Sequence, residues 1–428
     1  MRKRQEHLRS KIQLISVGMD TQTFVQQRFI EFYTETATKI EAPPSIKQRE
    51  FGFMFFKENM MVRHKIFSSV EALRSFMKEN GPAHAYHSTA YYEMPEEKME
   101  KKGWLGADLL FDIDADHIRT KCKEIHDSWI CKDCGFGGKG QPDICPSCGS
   151  KRFDERIWPC DECLEAAKKE TIKLIEILTS EFGFSLKEVN VSFSGHRGYH
   201  VHVANDVVQE LDAGARREIA DYVTGTGLNI SLYSPFAGAS FVSTEKGCSV
   251  FSEVGWRGRV ARGVYEFLLS STVKDLTNLG IKEKRASEII SNKQSILNAW
   301  KRESPWQPVR MLSEKDLKTI IRYVAETQST KIDTMVTTDV HRMIRLLNSL
   351  HGKTGWLKVS LQTSNIEVFD PFKDAVAFKK GSATIYVEES PKFRLGDEWF
   401  SKYEKQKVEL PMAAAIFLLC KGAARLVE

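Results

Sequence analysis

Hydrophobic and polar positions repeat with two different periods along this 428-residue chain. Apolar residues recur at near-helical spacing from Gln22 to Ile40, and again in "SSVEALRSFMKEN", where Ser68 and Glu71 fit a capping box and Gly81 follows the last turn. Runs such as "REFGFMFF", "LLFDID", "VNVSFSG" and "YHVHVAN" are typical of strands. The last two are joined by "SGHRG", which predicts a hairpin.

Charged segments with helical spacing fill the middle of the chain, for example "EKRASEIISNKQSILNAW" and "SEKDLKTIIRYVAET". Strand-like runs return in "WLKVSL", "IEVF" and "SATIYV", and a closing helix is expected from Pro411 to Leu426. The pattern predicts an α+β fold with a mixed β-sheet core, a small Cys-rich module and an α-helical insertion. Their expected bounds are 1–121, 164–205 and 331–428 for the core, 122–163 for the module and 206–330 for the insertion.

Composition and charge narrow the class of protein only slightly. An apolar content of 42% is enough for a genuine core, and a formal net charge of +5 gives weak support for a nucleic-acid partner. The opening "MRKRQEHLRSKIQ" lacks the apolar core of a signal peptide, and "MAAAIFLLC" is too short to span a bilayer. We therefore expect an intracellular protein without a membrane partner.

The stretch "LLFDIDADH" places carboxylates on a strand that otherwise looks buried. Side chains two residues apart on a strand project from one face, about 6.5–7 Å apart, so Asp112 and Asp114 can reach the same ions while Phe111 and Ile113 pack behind. Hard oxygen ligands suit Mg²⁺ or Mn²⁺. An edge strand with one wet face is the alternative, and Asp116 continues the period but also fits a cap of a following turn.

Seven of the nine cysteines fall between residues 122 and 163, which favours a local metal module over disulfides. The pairs Cys131-x-x-Cys134 and Cys145-x-x-Cys148 each place two thiolates on one tight turn next to glycines. Four sulfurs without an open position are typical of structural Zn²⁺. These four residues are the predicted zinc ligands.

A third pair, Cys160-x-x-Cys163, leaves the ligand set open. It can replace one of the other pairs, bind a second metal together with Cys122, or pack at the start of the long helix that follows. Packing is the interpretation we favour from the sequence.

The turn "SFSGHRGYHVHV" groups Ser194, His196, Arg197 and His200 around two glycines. Backbone N–H groups next to glycine approach an anion closely, and arginine and histidine add donors, so the group suits a triphosphate. An ordinary polar turn with a packed histidine is the alternative, and His202 fits a structural role.

The downstream segment "KIDTMVTTDVHRMIRLLNSLHGKTG" is also ambiguous by itself. Apolar spacing over 340–347 fits an amphipathic helix with Arg342 and Arg345 on its solvated face. His351 and Lys353 follow in a Gly-containing turn, where both can be ordinary surface residues.

Taken in order, these motifs resemble a known family, the catalytic small subunit of archaeal and eukaryotic DNA primases. The resemblance rests on "FDIDAD", the cysteine cluster, "SGHRGYH" and "KIDTMVTTDVHRMIRLLNSLHGKTG". It runs from "REFGF" to "VELPMAAAIFLLCKG" and covers most of the chain apart from the middle insertion, where only "GWRGRV" is similar.

The resemblance implies a set of site residues. Two Mg²⁺ or Mn²⁺ ions would be held by Asp112, Asp114 and Asp333, with Asp339 as a competitor of Asp333 that better fits a capping or surface role. The residues implied to contact the nucleotide or its phosphates are Arg49, Ser194, Arg197, His200, Arg345 and His351. Arg345 is expected on the helix before His351, and His196 has no assigned role.

The resemblance also implies an activity and partners. The expected reaction is template-directed synthesis of short RNA primers on single-stranded DNA from NTPs, with dNTP incorporation left open. A separate iron–sulfur large subunit is the expected heterodimer partner, in the cytoplasm of an archaeal cell or the nucleus of a eukaryotic one. The alternatives are a repair or translesion polymerase, a two-metal nuclease, and a zinc-containing nucleic-acid-binding subunit without activity.

Overall fold

A computed structural model describes most of the chain, namely residues 20–57, 60–229, 253–302 and 313–427. Residues 230–252 and 303–312 of the predicted insertion therefore lie outside the described residues. The chain forms two compact units. The first comprises the residues up to Thr171, Leu186–Arg216 and the residues from Ile332 onwards, and the second comprises Ile172–Ser185 and Arg217–Lys331.

Helices occur in both units. None of the described helices is both long and apolar enough to cross a membrane. They are α1 (Thr21–Thr36), α2 (Val70–Asn80), α3 (Lys123–His126), α4 (Asp161–Ser180), α5 (Asp206–Gln209), α6 (Ala213–Thr224), α7 (Gly255–Ser270), α8 (Val273–Asn278), α9 (Glu283–Ser291), α10 (Lys293–Arg302), α11 (Glu314–Gln328), α12 (Thr334–Thr338), α13 (Pro371–Asp374) and α14 (Met412–Cys420).

The described strands all belong to the first unit. They are β1 (Phe51–Met54), β2 (Val62–Lys65), β3 (His84–Ser88), β4 (Ala90–Tyr92), β5 (Trp104–Ala107), β6 (Leu109–Asp114), β7 (Ser128–Cys131), β8 (Gly137–Lys139), β9 (Phe153–Arg156), β10 (Val189–Phe193), β11 (Gly198–Val203), β12 (Met343–Arg345), β13 (Leu350–His351), β14 (Trp356–Leu357), β15 (Val359–Leu361), β16 (Ser382–Ser390), β17 (Phe393–Leu395), β18 (Glu398–Phe400), β19 (Tyr403–Pro411) and β20 (Ala424–Leu426).

Two four-stranded sheets form the centre of the first unit, with strand orders β15-β10-β11-β6 and β12-β3-β1-β2. The prediction of an α+β fold is confirmed, and so is the hairpin, since β10 and β11 pair in antiparallel register. The prediction of a mixed sheet differs from the structure, since every strand pair in the described part of the chain is antiparallel.

Strand β6 has the alternation that its sequence predicts. Phe111 and Ile113 are completely buried, whereas Asp112 and Asp114 are half-buried on the opposite face. Its partner β11 places Gly198 opposite Asp114 in the register. A Cβ atom at Gly198 would lie 2.4 Å from the Ile113 carbonyl oxygen, so this close strand pairing requires glycine.

Three predicted elements differ in detail. Ser69, not Ser68, caps α2 by accepting from the Ala72 N–H. The run "IEVF" forms a turn instead of a strand, because a 3₁₀ turn precedes it and Asp370 caps α13 immediately after it. The closing helix ends at Cys420, since Gly422 adopts a φ of 64° and the chain continues as β20 beside β16.

The second unit has its own helical core. Apolar side chains from α7 and α11 pack there, and the fully buried members include Val260, Val264, Ile320 and Ile321. An ion pair between Arg259 and Glu181 is also buried in this unit.

A single methyl group at position 198 tests the tight β6–β11 pairing. We expect Gly198→Ala to lower the free energy of unfolding by about 1–3 kcal/mol, because the added methyl meets rigid backbone. Denaturant unfolding measures the change. Gly214→Ala in α6 is the control, since its added methyl meets only the flexible Asp212 side chain, at 3.2 Å. Equal stability of the two variants would contradict the pairing described here.

Candidate active site

A cleft of about 420 Å³ lies between the two four-stranded sheets. Strands β6 and β11 contribute one wall, and β3 and β12 contribute the other. The predicted acidic strand, basic turn and downstream segment therefore meet in one place. The polar and charged residues of the lining are His84, Tyr86, Asp112, Asp114, Asp116, Ser194, His196, His200, Arg342, Arg345, His351 and Lys353.

The predicted carboxylates come together from two remote parts of the chain. The backbone N–H of Asp333 donates to the Asp112 carbonyl oxygen at 2.9 Å, so the start of α12 lies against β6. The Asp333 carboxylate caps α12 by accepting from the Met335 N–H at 3.0 Å. Its competitor Asp339 is exposed, in keeping with the predicted surface role, and accepts from the His341 N–H in a turn after α12, where no helix starts.

Burial and like charge disfavour the ionised form of this carboxylate group. Burial raises the pKa of Asp112 to about 7, with Asp114 and Asp333 adding to the shift and Arg342 opposing it. Burial also raises the pKa of Asp114. Because the ionised carboxylates are incompletely compensated by the protein, a divalent cation would stabilise them, and their oxygens are the donors that Mg²⁺ and Mn²⁺ prefer.

The two predicted turns pack directly against each other. Thr354, from "HGKTG", donates its hydroxyl to the Gly195 carbonyl oxygen at 2.6 Å. Gly195 has a φ of 85°, and a Cβ atom there would lie 3.0 Å from the His351 Cβ. Ser194 shapes the turn by accepting from the Gly198 N–H at 3.2 Å. This contact therefore accounts for the Thr354 hydroxyl and for the lack of a side chain at Gly195.

Three histidine rings line the cleft beside these turns. His351 stacks on His196 with the ring centroids 5.0 Å apart, and it meets His84 edge-on at 4.9 Å. Burial, followed by nearby cations, holds the pKa of all three well below the usual value, so they are neutral at pH 7. His351 Nδ1 accepts from the Lys353 N–H at 3.1 Å, which leaves the proton on Nε2 as a donor.

Arg345 lies on strand β12, so its predicted helical location is wrong. The helix stops at Thr338, and β12 then pairs with β3, which places Arg345 opposite Tyr86. Its guanidinium group donates to His84 Nδ1 at 2.8 Å and to the Tyr86 hydroxyl at 3.1 Å. Strand pairing overrides the helical spacing because the apolar side of β12, including Ile344, is buried.

Two predicted nucleotide contacts, Arg49 and Arg197, are absent from the described lining of the cleft. Arg49 is buried, donates to Asp108 at 2.6 Å and stacks on the Tyr91 ring. Arg197 is completely buried and forms ion pairs with Asp116 and Asp127. Their direct contact with a nucleotide stays a prediction.

Besides His196, four polar or charged cleft residues had no assigned site role from the sequence. The sequence by itself was consistent with solvated surface positions for Arg342 and Lys353, yet both residues line the cleft. His84 and Tyr86 lie on β3, whose sequence "HAYHS" looks like an ordinary strand. They reach the cleft because β3 pairs with β12, more than 250 residues away in the sequence, and no local pattern reports such a pairing.

Two Cys-rich groups have the geometry of metal sites. In the first, the sulfurs of the four predicted zinc ligands lie within 4.8 Å of one another. Its two turns are alike, since Gly135 N–H donates to the Cys131 carbonyl and Gly149 N–H donates to the Cys145 carbonyl, both at 2.9 Å. Strands β7, β8 and β9 form a small sheet that carries this group.

The second group favours the alternative of a second metal site over the packing interpretation of Cys160 and Cys163. These residues and Cys122 converge with His126, and the four ligand atoms again lie within 4.8 Å of one another. Three sulfurs and one imidazole match the ligand types of structural zinc. The sequence did not point to His126 as a candidate ligand; it follows Cys122 by four residues and so lies near it on the short helix α3.

Carboxylates that face neutral and cationic donors across one cleft are typical of enzymes that transfer phosphoryl or nucleotidyl groups with divalent metal ions. Comparison with known proteins narrows this class. A family model described as DNA primase small subunit matches residues 158–363.

Relatives extend the match over nearly the whole chain. The chain is 34% identical to the DNA primase small subunit PriS of Methanothrix thermoacetophila, covering 94% of this chain and 98% of that protein. It is 33% identical to PriS of Archaeoglobus fulgidus (95% and 99%) and 30% identical to PriS of Nitrosopumilus maritimus (94% and 97%). The chain belongs to the DNA primase small-subunit family.

The raised pKa of Asp112 predicts how stability depends on pH without divalent ions. The folded protein holds the Asp112 proton up to about pH 7, whereas the unfolded chain releases it near pH 3.8. The folded state therefore loses stability relative to the unfolded chain as the pH rises between these values. We therefore expect Asp112→Asn to have a higher Tm than the wild type at pH 8, with the difference shrinking toward pH 4.

Thermal unfolding in EDTA-treated buffer measures this difference. Asp339→Asn is the matched control, because that carboxylate is exposed and lies outside the cleft. A lower Tm of Asp112→Asn than of the wild type at pH 8 would show that the ionised carboxylate is well compensated by the protein, contrary to this description.

Proposed function

We propose that this chain is the catalytic subunit of a DNA primase, which synthesises short RNA primers on single-stranded DNA from NTPs during replication. One observation carries the proposal: Asp112 and Asp114 line a cleft whose other wall presents histidine and arginine donors, and the Asp333 N–H bonds to the carbonyl oxygen of Asp112. Membership of the primase small-subunit family supports it independently. No side chain is required to act as a nucleophile.

The three carboxylates hold two Mg²⁺ or Mn²⁺ ions in this proposal. When bound, such a pair lowers the pKa of the attacking 3′-hydroxyl and stabilises the departing pyrophosphate. The chain contributes the spacing: β6 presents Asp112 and Asp114 on one face, and the backbone bond from Asp333 fixes the third carboxylate beside them. His200 lies directly opposite Asp112 on β11, and its Nε2 is 3.7 Å from an oxygen of the Asp112 carboxylate.

The triphosphate binds along the turns and β12. Ser194 and His200 contact it from one wall, Arg345 and His351 from the other, and Lys353 and Arg342 add positive charge at the cleft. The His351 Nε2–H is a donor without a permanent charge, so it adds no further buried cation beside Arg345. Donors fixed in this way stabilise charge that develops on the phosphates in the transition state.

Structural Zn²⁺ is assigned to both Cys-rich groups. Each offers four ligands and no open coordination position, which is typical of a structural ion. Zinc in these groups would stabilise the segment around β7–β9 and its connection to α4.

The primase activity requires further partners. A single-stranded DNA template and a separate large subunit with an iron–sulfur cluster are assigned on the family resemblance, and dNTPs are possible additional substrates. A repair or translesion polymerase is the alternative within the same class. It would extend an existing primer but would not start one from NTPs on a bare template.

De novo synthesis tests the proposed function directly. With labelled NTPs, single-stranded DNA and Mn²⁺, we expect short RNA products from the wild type and none from Asp112→Ala or Asp333→Ala, because the metals lose an essential ligand. Asp339→Ala is the control and should keep the activity. Products from either cleft variant would contradict the metal assignment.

The control reactions separate the alternatives. Extension of a supplied primer without synthesis on a bare template would indicate the repair or translesion polymerase. Release of label from a DNA strand without added nucleotides would indicate a nuclease. Metal-dependent NTP binding is expected for the primase, and its absence would indicate a binding subunit without activity.

Metal analysis tests the zinc assignment. We expect two zinc ions per chain, one from each group, because the two ligand sets are separate. The double change Cys131→Ser and Cys134→Ser should remove one ion, and Cys160→Ser with Cys163→Ser should remove the other. Mass spectrometry of the intact native protein measures both losses. A single zinc ion in the wild type would exclude one of the two sites.

A further inference from the structure

Arg197 occupies a central place in a buried polar network. Its side chain is completely buried, and one terminal nitrogen donates to the Asp127 carboxylate at 2.9 Å and to the Trp158 carbonyl oxygen at 3.2 Å. The other terminal nitrogen donates to the Asp116 carboxylate. One planar guanidinium group therefore joins two carboxylates that come from different segments.

On one side, this network reaches the Cys/His group. Asp127 Oδ1 lies 2.8 Å from His126 Nδ1 and also accepts from the Trp158 N–H at 2.9 Å. The other nitrogen of His126, Nε2, lies 3.6 Å from the Cys163 sulfur. His126 is thus oriented by a carboxylate on one nitrogen and directed at the sulfurs with the other, as is usual for a histidine metal ligand.

On the other side, the network reaches the carboxylates of the cleft. Asp116 lines the cleft, and its backbone N–H donates to the Asp114 carboxylate at 2.9 Å. The Ala115 N–H donates to the Arg197 carbonyl oxygen at 3.1 Å. Arg197 therefore holds the turn after β6 through its backbone and through its side chain.

We propose that Arg197 is a positioning residue that joins the Cys/His group to the Asp114 carboxylate and so sets the affinity of the cleft for its catalytic divalent ions. The sequence motif by itself pointed to a triphosphate contact. The structure favours positioning because both terminal nitrogens of the guanidinium group are used by Asp127, Trp158 and Asp116. This inference rests on the proposed two-metal function of the cleft.

The chemistry of arginine explains why lysine cannot replace it. A lysine ammonium group is a point charge and cannot span two carboxylates in fixed directions, whereas a guanidinium fork can. Arg197→Lys therefore keeps the positive charge that Asp127 needs in its buried position but releases the Asp116 side of the network. The expected consequence is a less ordered Asp114, not an unfolded protein.

Binding of Mn²⁺ to the full chain without nucleotide tests the inference. The electron paramagnetic resonance signal of free Mn²⁺ measures how much ion is bound. We expect Arg197→Lys to weaken binding about tenfold, the scale on which outer partners of ligands act. Arg63→Lys is the matched control, because Arg63 makes a two-pronged pair with Glu50 outside the cleft lining.

A second measurement separates positioning from phosphate contact. Binding of ATP in EDTA, without any divalent ion, should be the same for Arg197→Lys and the wild type if Arg197 does not touch the triphosphate. Unchanged Mn²⁺ binding together with weaker ATP binding would overturn the proposal and establish a phosphate contact.

A second variant keeps the test decisive if Arg197→Lys does not fold. Asp127→Asn changes the far side of the network and cannot contact a nucleotide in the cleft, since Asp127 is 1% exposed. We expect it to weaken Mn²⁺ binding while zinc content stays at the wild-type value. Mn²⁺ binding equal to that of the wild type in this folded variant would overturn the proposal.

Failure of the inference can be distinguished from failure of the proposed function. Asp112→Ala is measured in the same Mn²⁺ assay. If it loses the ion while Arg197→Lys and Asp127→Asn bind normally, the cleft holds metal and only the positioning role is wrong. If the wild type itself binds no Mn²⁺, the metal assignment of the cleft is overturned, and the positioning role with it.

Discussion

The burial of Asp112 and Asp114 side by side, with Asp333 near them, is the constraint on which the rest of the site depends. Bringing buried carboxylates together is unfavourable unless positive charge or protons compensate them. The raised pKa of Asp112 reflects this cost. The carboxylates stay close together despite this cost, because β6 is fixed by its pairing with β11 and because the Asp333 backbone bonds to the same strand.

The histidine rings of the cleft do not add the energetic cost of further buried charges. The three clustered histidines His84, His196 and His351 are neutral at pH 7 because burial and neighbouring cations lower their pKa values, so they add no charge to that of the arginine and lysine side chains in the lining. His351 still presents its Nε2–H as a donor to an anion. A triphosphate would supply negative charge to the wall that carries Arg345, and its metal ions would supply positive charge to the wall that carries Asp112 and Asp114. The cleft is therefore complementary to a complex of metal ions and triphosphate, and not to the metal ions or the triphosphate alone.

Local motifs predicted those parts of the structure that depend on local physics. Alternation in "LLFDID" gave the strand and the common face of Asp112 and Asp114, and the glycines of "SGHRG" marked the hairpin. Contacts between remote segments were beyond such reasoning. The pairing of β12 with β3 moved Arg345 from a helix to a strand, and burial against Asp127 withdrew Arg197 from the lining. His126 was missed because a single histidine near a cysteine is a weak signal without the fold.

The most direct test of the central claim is anomalous X-ray scattering from crystals soaked with Mn²⁺ and a non-hydrolysable NTP. The account predicts manganese peaks in contact with carboxylate oxygens of Asp112, Asp114 and Asp333, with the triphosphate between these ions and Arg345 and His351. Manganese bound elsewhere on the chain, with the three carboxylates pointing away from the nucleotide, would contradict it.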